Sequence, residues 1–204
     1  MSLIGLVGAH RTGKSTLTHK LVMHDYGDVL FSEVPVSISQ WQREHGYDSS
    51  NQNYSWKDRK VIQARLFHKF EAVLVAQLST GYKQELFNTY DSYIKISERT
   101  PLDLIGYLIL NAPENLSNQE KDWVSNYIAE CISLTNAFYD KVFVLQPGIA
   151  YVDSPTSAKE DSIEKLNAIY LSLMLDSRLT IDKHIIDSNV TDINDRVTEI
   201  VTNL

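Results

Sequence analysis

Short apolar runs alternate along the chain with longer stretches in which apolar residues recur at helical spacing. Five runs have the length of a strand and end in turn-forming or polar residues: 3–7, 29–32, 93–97, 141–145 and 184–186. One long helical pattern covers residues 56–87. Strands that alternate with helices predict right-handed crossovers and a mainly parallel sheet covered on both faces. The expected fold is therefore α/β, with three layers built around five strands.

The chain is organised as one domain. Its 204 residues contain no internal repeat, no low-complexity tract and no linker that would separate two units. Ser117 followed by Glu120 predicts a capping box at a helix start, and Thr100 before Pro101 predicts another helix start. The domain is therefore expected to span residues 1–204.

Composition and charge exclude several classes of function. A hydrophobic fraction of 43% and a charged fraction of 22% are ordinary for a soluble globular protein. The net charge of −7 argues against a surface that tracks duplex DNA, which needs an excess of lysine and arginine. The single cysteine, Cys131, rules out an intrachain disulfide and favours a buried thiol and a cytoplasmic location. No run reaches the ~18 apolar residues of a membrane helix, so no membrane partner is expected.

Residues 8–15 read GAHRTGKS and match the phosphate-binding pattern G-x-x-x-x-G-K-[ST] between a predicted strand and a predicted helix. We call this segment the phosphate loop. Gly8 and Gly13 allow the backbone to approach a phosphate, and the new helix aims its N–H groups at the anion. Lys14 is expected to reach the β- and γ-phosphates of ATP, and Ser15 to offer its hydroxyl to Mg²⁺. The expected nucleotide-binding residues are Gly8, Arg11, Thr12, Gly13, Lys14, Ser15 and Thr16.

The phosphate loop alone does not distinguish a kinase from a motor, a GTPase or a transport ATPase. The sequence has no Asn-Lys-x-Asp signature, which disfavours a GTPase, and it is short for a motor. His10 and Arg11 occupy variable positions of the pattern, so either side chain fits a solvent-facing role as well as a functional one.

Two carboxylates follow predicted strands, at the edge of a parallel sheet where ligands bind. Glu33 is a candidate base that takes the proton of an acceptor hydroxyl, or simply a surface residue at a strand end. Glu98 is a candidate Mg²⁺ contact, and Arg99 a candidate for neutralising charge on the transferred phosphoryl group. The alternative for this second pair is a Glu–Arg pair at a helix cap. Function is favoured, because this strand should lie beside the strand that leads into the phosphate loop.

These segments resemble known P-loop kinases. Glu33-Val34-Pro35-Val36, with Trp41 following, resembles the Glu-Pro-Val…Trp segment of deoxyribonucleoside kinases, and Glu98-Arg99-Thr100 resembles their Glu-Arg-Ser triplet. The stretch from Ser97 to Asp103, with Tyr107 after it, also resembles small phage and bacterial AAA-like P-loop kinases related to nicotinamide-riboside kinase. The resemblance implies a P-loop kinase fold with a small lid at about 147–165.

The resemblance also implies roles for individual residues. Catalytic roles fall to Lys14, Glu33 and Arg99, and metal contacts to Ser15 and Glu98. Substrate contacts fall to Trp41 and Gln63, and Lys159 in the lid region could approach the phosphates on closure. Arg65 is a candidate on other grounds: with Arg43 and Arg59 it is one of the arginines available to bind the phosphate of a monophosphate acceptor. The sequence departs from the family in three places. Val34 separates Glu33 from the proline, and Glu98 stands where many relatives carry Asp. The lid region offers Lys159 and Lys165 in place of an arginine-rich segment.

Three functions are compatible with these residues. The leading hypothesis is an ATP- and Mg²⁺-dependent phosphotransferase that acts on a small nucleoside or nucleoside monophosphate. The second is a kinase for a hydroxymethylated pyrimidine base in DNA, which the acidic charge disfavours. The third is a nucleotide-dependent regulatory ATPase or switch. The oligomeric state is open, with a homodimer as one option.

Overall fold

The computed structural model describes residues 2–24, 26–47, 54–79, 92–149 and 160–204. The strands are β1 (Ser2–Val7), β2 (Val29–Val34), β3 (Ser92–Ser97), β4 (Lys141–Leu145) and β5 (Asp182–Ile186). The helices are α1 (Lys14–Met23), α2 (Ile38–Glu44), α3 (Trp56–Ser79), α4 (Pro101–Leu110), α5 (Asn118–Phe138), α6 (Glu160–Met174) and α7 (Ile193–Thr202).

The five strands form one sheet in the order β2-β3-β1-β4-β5. Every neighbouring pair is parallel, which confirms the predicted sheet. β1 lies at the centre with β3 on one side, and Gly5 is opposite Ser97. The carboxyl ends of β1 and β3 are therefore neighbours, as the sequence predicted.

Side chains along β1 point alternately into two apolar clusters, one on each face of the sheet. Leu3 and Val7 belong to a large cluster that includes side chains of α3, α4, α5 and α6. Ile4 and Leu6 belong to a smaller cluster with side chains of α1 and α7. Successive strand residues point to opposite faces, so each face of the sheet carries its own layer of helices. The three-layer prediction is confirmed.

Element boundaries differ from the predicted ones at the sheet edges. β2 continues past residue 32, because Glu33 and Val34 keep pairing with Ile96 and Ser97 of β3. β5 begins at Asp182 instead of residue 184, because polar residues are tolerated on an edge strand with an exposed face. The predicted helix from residue 56 is present to Ser79, and residues 80–87 lie outside the described part.

The predicted lid at 147–165 is described only at its two ends. Residues 160–165 form the first turns of α6, and residues 150–159 lie outside the described part of the chain. The lid therefore stays a prediction, as does the single-domain assignment.

Two helix starts and the cysteine agree with the sequence analysis. Ser117 and Glu120 form a capping box at α5. Thr100 caps α4, where Asp103 completes a second box. Cys131 is fully buried, and burial raises the pKa of its thiol.

None of the described helices combines the length and the apolar content that crossing a bilayer requires.

Close packing of α4 against α6 depends on a glycine. A Cβ atom at Gly106 would lie 2.6 Å from Cε1 and 2.8 Å from Cζ of Tyr170. Tyr170 is fully buried, so its ring has little room to move away.

We predict that Gly106→Ala lowers the free energy of unfolding by roughly 1–3 kcal/mol, because the methyl group overpacks this contact. Urea denaturation of the purified protein measures the change. Alanine is intrinsically favoured over glycine in a helix by about 1 kcal/mol, so a more stable variant would contradict the packing argument.

Candidate active site

A cavity of about 270 Å³ opens at the carboxyl ends of β1 and β3. Three parts of the chain form it: the phosphate loop, the start of α1 and the two residues that follow β3. The lining residues are His10, Arg11, Gly13, Lys14, Ser15, Thr16, Glu98 and Arg99. The two motifs that were predicted separately are thus brought together at one site.

The phosphate loop has the backbone shape that its glycine pattern predicts. Gly13 has φ 84° and Arg11 has φ 63°, both in the left-handed region. Gly13 is also the N-cap residue of α1, and as a glycine it has no side chain that could cap the helix. The N–H groups of the first turn therefore remain available to an anion, and the helix dipole favours negative charge there.

Lys14 lies inside the loop. Its side chain is buried, and Nζ donates to the carbonyl oxygens of Gly8 at 2.6 Å and Ala9 at 2.8 Å. Burial, followed by the positive charge of Arg99, lowers the pKa of Lys14 to about 7. Both effects disfavour an ammonium in this cavity, and a phosphate anion beside it would reverse that balance.

Ser15 and Glu98 meet across the cavity. The Ser15 hydroxyl donates to Oε1 of Glu98 at 2.6 Å, which joins the start of α1 to the end of β3. Hard oxygen donors of this kind suit Mg²⁺, which takes one or two protein ligands and fills its remaining positions with phosphate oxygens and water. Within the described residues no group of three or more His, Cys, Asp or Glu could hold a metal by itself. The Ser15 hydroxyl and the Glu98 carboxylate are oxygen donors that fit a Mg²⁺ ion whose remaining ligands are phosphate oxygens and water.

Two side chains of α4 hold Arg99 in place. Its Nη1 donates to Oδ1 of Asp103 at 2.9 Å and to the hydroxyl of Tyr107 at 3.2 Å. Asp103 is completely buried, and its second oxygen accepts the backbone N–H of Thr100 at 2.8 Å. The cap of α4 and the ion pair therefore share one carboxylate, which fixes where the guanidinium lies.

His10 extends this network to the phosphate loop. Its Nε2 and the Tyr107 hydroxyl are 3.0 Å apart. Desolvation, then the charges of Arg99 and Lys14, lowers the pKa of His10 to about 4, so the ring is neutral near pH 7. The Tyr107 hydroxyl accepts from Arg99, and a neutral imidazole can accept its proton in turn.

Glu33 lies farther from this cavity than Glu98 does. It is exposed on β2 and is not among the lining residues, since β3 lies between β2 and the phosphate-loop strand. Its position near the carboxyl end of β2 is still on the same edge of the sheet as the cavity.

The predicted substrate residues lie around α2 and α3. Trp41 is buried and stacks on His45, with a centroid distance of 4.3 Å. Gln63 is buried, and its side-chain oxygen accepts from Tyr127 at 3.0 Å. Arg65 is exposed and donates to the Tyr47 hydroxyl at 2.7 Å. Lys159 lies outside the described residues. Their contact with a substrate stays a prediction.

Three residues of the site were given no role by the sequence analysis. Asp103 and Tyr107 follow Arg99 at helical spacing, so the pattern could have placed them on the same face of α4. Arg196 on α7 donates to the carbonyl oxygen of Thr12 in the phosphate loop. Nothing in the local sequence distinguishes this arginine from a surface residue.

Known structures share this architecture. Deoxyadenosine kinase from M. mycoides, solved with the products dCMP and dCDP, has a TM-score of 0.63 at 14% identity, over 98% of this chain and 97% of that chain. Thymidylate kinase from Candida albicans has a TM-score of 0.62 at 16% identity, over 99% of this chain and 90% of that chain. The NadR protein in complex with NR has a TM-score of 0.64 at 14% identity, over 100% of this chain but 52% of that chain.

No protein-family model and no curated protein sequence matches this chain. The structural likeness nevertheless confirms the P-loop kinase fold that the sequence motifs indicated.

We predict that Asp103→Asn lowers the free energy of unfolding by about 3 kcal/mol, because it leaves the mostly buried Arg99 without its carboxylate. Asp176→Asn is the matched control, since it breaks a more exposed pair with Arg178 and should cost less than about 1 kcal/mol. Equal losses in urea denaturation would contradict the role given to Asp103.

Proposed function

We propose that the protein transfers the γ-phosphoryl group of ATP to a nucleoside or a nucleoside monophosphate, in the presence of Mg²⁺. The observation that carries this proposal is that the phosphate loop, Glu98 and Arg99 line the same cavity. Lys14 and Arg99 bring positive charge to the cavity, and the uncapped start of α1 adds backbone N–H groups. This combination suits a polyphosphate that loses its terminal group.

Each lining group has a task in this reaction. Lys14 would bind the β- and γ-phosphate oxygens, and Arg99 would neutralise charge on the phosphoryl group as it moves. Ser15 and Glu98 would hold Mg²⁺, which supplies further neutralisation of the phosphate oxygens when bound. The Asp103 and Tyr107 contacts restrict the movement of Arg99, so little ordering is needed when the reaction begins.

Glu33 is proposed as the base. Its carboxylate takes the proton of the acceptor hydroxyl while the hydroxyl oxygen bonds to the γ-phosphorus, and the bond to the bridging oxygen breaks to release ADP. β2 delivers Glu33 to the carboxyl edge of the sheet, two strands from the phosphate loop. The acceptor molecule would lie between Glu33 and the phosphate loop. Closure of the proposed lid, 147–165, would exclude water from the transfer.

The proposal leaves two classes of acceptor, a nucleoside and a nucleoside monophosphate, and a contact of Arg65 bears on the choice between them. Arg65 on α3 donates to the phenol of Tyr47, a neutral partner, so its charge is available to an anion. A monophosphate acceptor needs such a cation, whereas a nucleoside does not. Two of the similar structures are named as a deoxyadenosine kinase and a thymidylate kinase, which represent these two acceptor classes.

The experiment that tests the function is ADP release from ATP and Mg²⁺ across a panel of acceptors. The panel contains the deoxynucleosides, their monophosphates, nicotinamide riboside, and duplex DNA with and without hydroxymethylated pyrimidines. We expect stimulation by a nucleoside or a monophosphate. Stimulation by modified DNA alone, or slow hydrolysis that no acceptor changes, would replace this proposal with the DNA-base kinase or the regulatory ATPase.

We predict that Glu33→Gln lowers the transfer rate by roughly 10²–10⁴-fold, because the amide cannot take the acceptor proton. Its affinity for ATP should stay near the native value. Single-turnover transfer and calorimetric ATP titration measure the two quantities separately.

Two further variants serve as controls for this measurement. Glu44→Gln makes the same chemical change on an exposed residue of α2 and should leave transfer unchanged. Lys14→Ala should lose ATP affinity together with transfer. A parallel loss of ATP affinity and transfer in Glu33→Gln would remove Glu33 as the base.

A further inference from the structure

Arg196 is a buried cation with an unusual set of partners. It is 1% exposed, whereas the polar residues Asn194, Asp195 and Thr198 of the same helix are exposed. Among the described residues no carboxylate lies within ion-pair distance of its guanidinium. Its donors go instead to backbone carbonyl oxygens: Nε to Val190 at 2.6 Å, Nη2 to Gln146 at 3.4 Å, and Nη1 to Thr12. One side chain therefore joins three loops, those that follow β1, β4 and β5.

The contact with Thr12 has a direct consequence for the phosphate loop. In a trans peptide the C=O of one residue and the N–H of the next point in opposite directions, and the described chain contains no cis peptide bond. Arg196 holds the Thr12 carbonyl on the side of α7. The N–H of Gly13, which belongs to the same peptide unit, is thereby turned to the other side, and Gly13 lines the cavity.

Two glycines border this guanidinium. A Cβ atom at Gly148 would lie 3.3 Å from Nη2, a tight contact, and one at Gly13 would lie 3.5 Å from Nη1, an ordinary contact distance. Gly148 also passes so close to the chain after β5 that a Cβ would lie 2.1 Å from the carbonyl oxygen of Ser188. The side chain is therefore enclosed by backbone, and this enclosure limits its rotamers.

The charge of Arg196 is costly in this position. Carbonyl dipoles satisfy its hydrogen bonds but supply no opposite charge, and burial lowers its pKa. A buried guanidinium without a carboxylate is favourable where a polyanion binds nearby, because attraction to the anion offsets part of the desolvation. The phosphate loop, whose carbonyl it holds, is the place in the described structure where such an anion is expected.

We propose that Arg196 is a positioning residue for nucleotide binding: by holding the Thr12 carbonyl, it turns the Gly13 N–H toward the phosphates and adds positive charge behind the loop. The inference rests on the proposed function only as far as phosphate binding, and it does not depend on the acceptor. Through the side chain of Arg196, the last helix of the described chain takes part in the phosphate site.

A merely structural role makes a different prediction. If Arg196 only fastened three loops together, its loss would lower the free energy of unfolding without changing the affinity of the folded protein for phosphates. The test therefore measures affinity under conditions where thermal melting shows each variant to be folded.

The experiment titrates the full chain with magnesium tripolyphosphate and with magnesium ATP by calorimetry. Tripolyphosphate has no base or sugar, so it reports on the phosphate loop alone. Arg196→Met removes the donors and the charge while keeping an unbranched chain of similar bulk. Arg196→Lys keeps the charge but loses the planar fork. Arg178→Met and Arg178→Lys make the same changes at an exposed arginine.

We expect Arg196→Met to weaken both ligands by on the order of 30-fold, the effect of losing a hydrogen bond to a charged group. Arg196→Lys should fall between this variant and the native chain, and both Arg178 variants should bind as the native chain does. Native affinity for tripolyphosphate in a folded Arg196→Met would overturn the inference. If that variant does not fold, native affinity in Arg196→Lys would overturn it.

The native chain separates the two proposals. If it binds neither ligand, the proposed function and the inference both fail. If it binds both ligands and the Arg196 variants bind equally well, the inference fails alone and the kinase proposal stands.

Discussion

Gly5 of β1 is paired with Ser97 of β3, and the two strands run in the same direction. From this one register the phosphate loop, which leaves β1, comes to lie beside Glu98 and Arg99, which leave β3. Parallel strands end at a common edge of the sheet. Ser15 and Glu98 can therefore form a hydrogen bond without a special loop, although they are 83 positions apart in sequence. The helices cover both faces of the sheet with apolar side chains, so polar residues lie at this edge instead.

Charge is distributed unevenly around that edge. Lys14 and Arg196 are buried with backbone carbonyls as partners, and only Arg99 is paired with a buried carboxylate, Asp103. The chain as a whole is acidic, with a net charge of −7, so the cationic cavity is a local property of the fold. Burying a cation among carbonyl dipoles, instead of beside a carboxylate, costs stability.

The sequence predicted much of this architecture because the signals were local. The glycine pattern of residues 8–15 requires particular φ values, and the structure has them at Arg11 and Gly13. Apolar runs bounded by polar residues predicted five strands, since a parallel strand is buried on both faces. The bounds of the edge strands β2 and β5 were predicted less well, because exposed polar residues such as Glu33 and Asp182 carry no such signal.

Long-range partners were harder to predict. Arg196 and Thr12 are 184 positions apart, and a single arginine on an amphipathic helix looks like any surface residue until its tertiary neighbours are known. Gln63 is a second example. The family resemblance implied a substrate contact for it, which stays a prediction, and the structure adds a buried hydrogen bond from Tyr127, a partner 64 positions away that no local pattern predicts.

The central position of β1 also bears on how the chain folds. Ser2 pairs with Ile94, Ile4 pairs with Lys141, and no strand of the sheet is joined to its neighbour by a hairpin. Loop-closure entropy must therefore be overcome for every strand pairing before the sheet gains stability, and topologies of this kind fold slowly compared with helical bundles. Until β3 and β4 arrive, the apolar strand β1 presents two unpaired edges to other chains. Aggregation during refolding is thus a hazard inherent in this strand order.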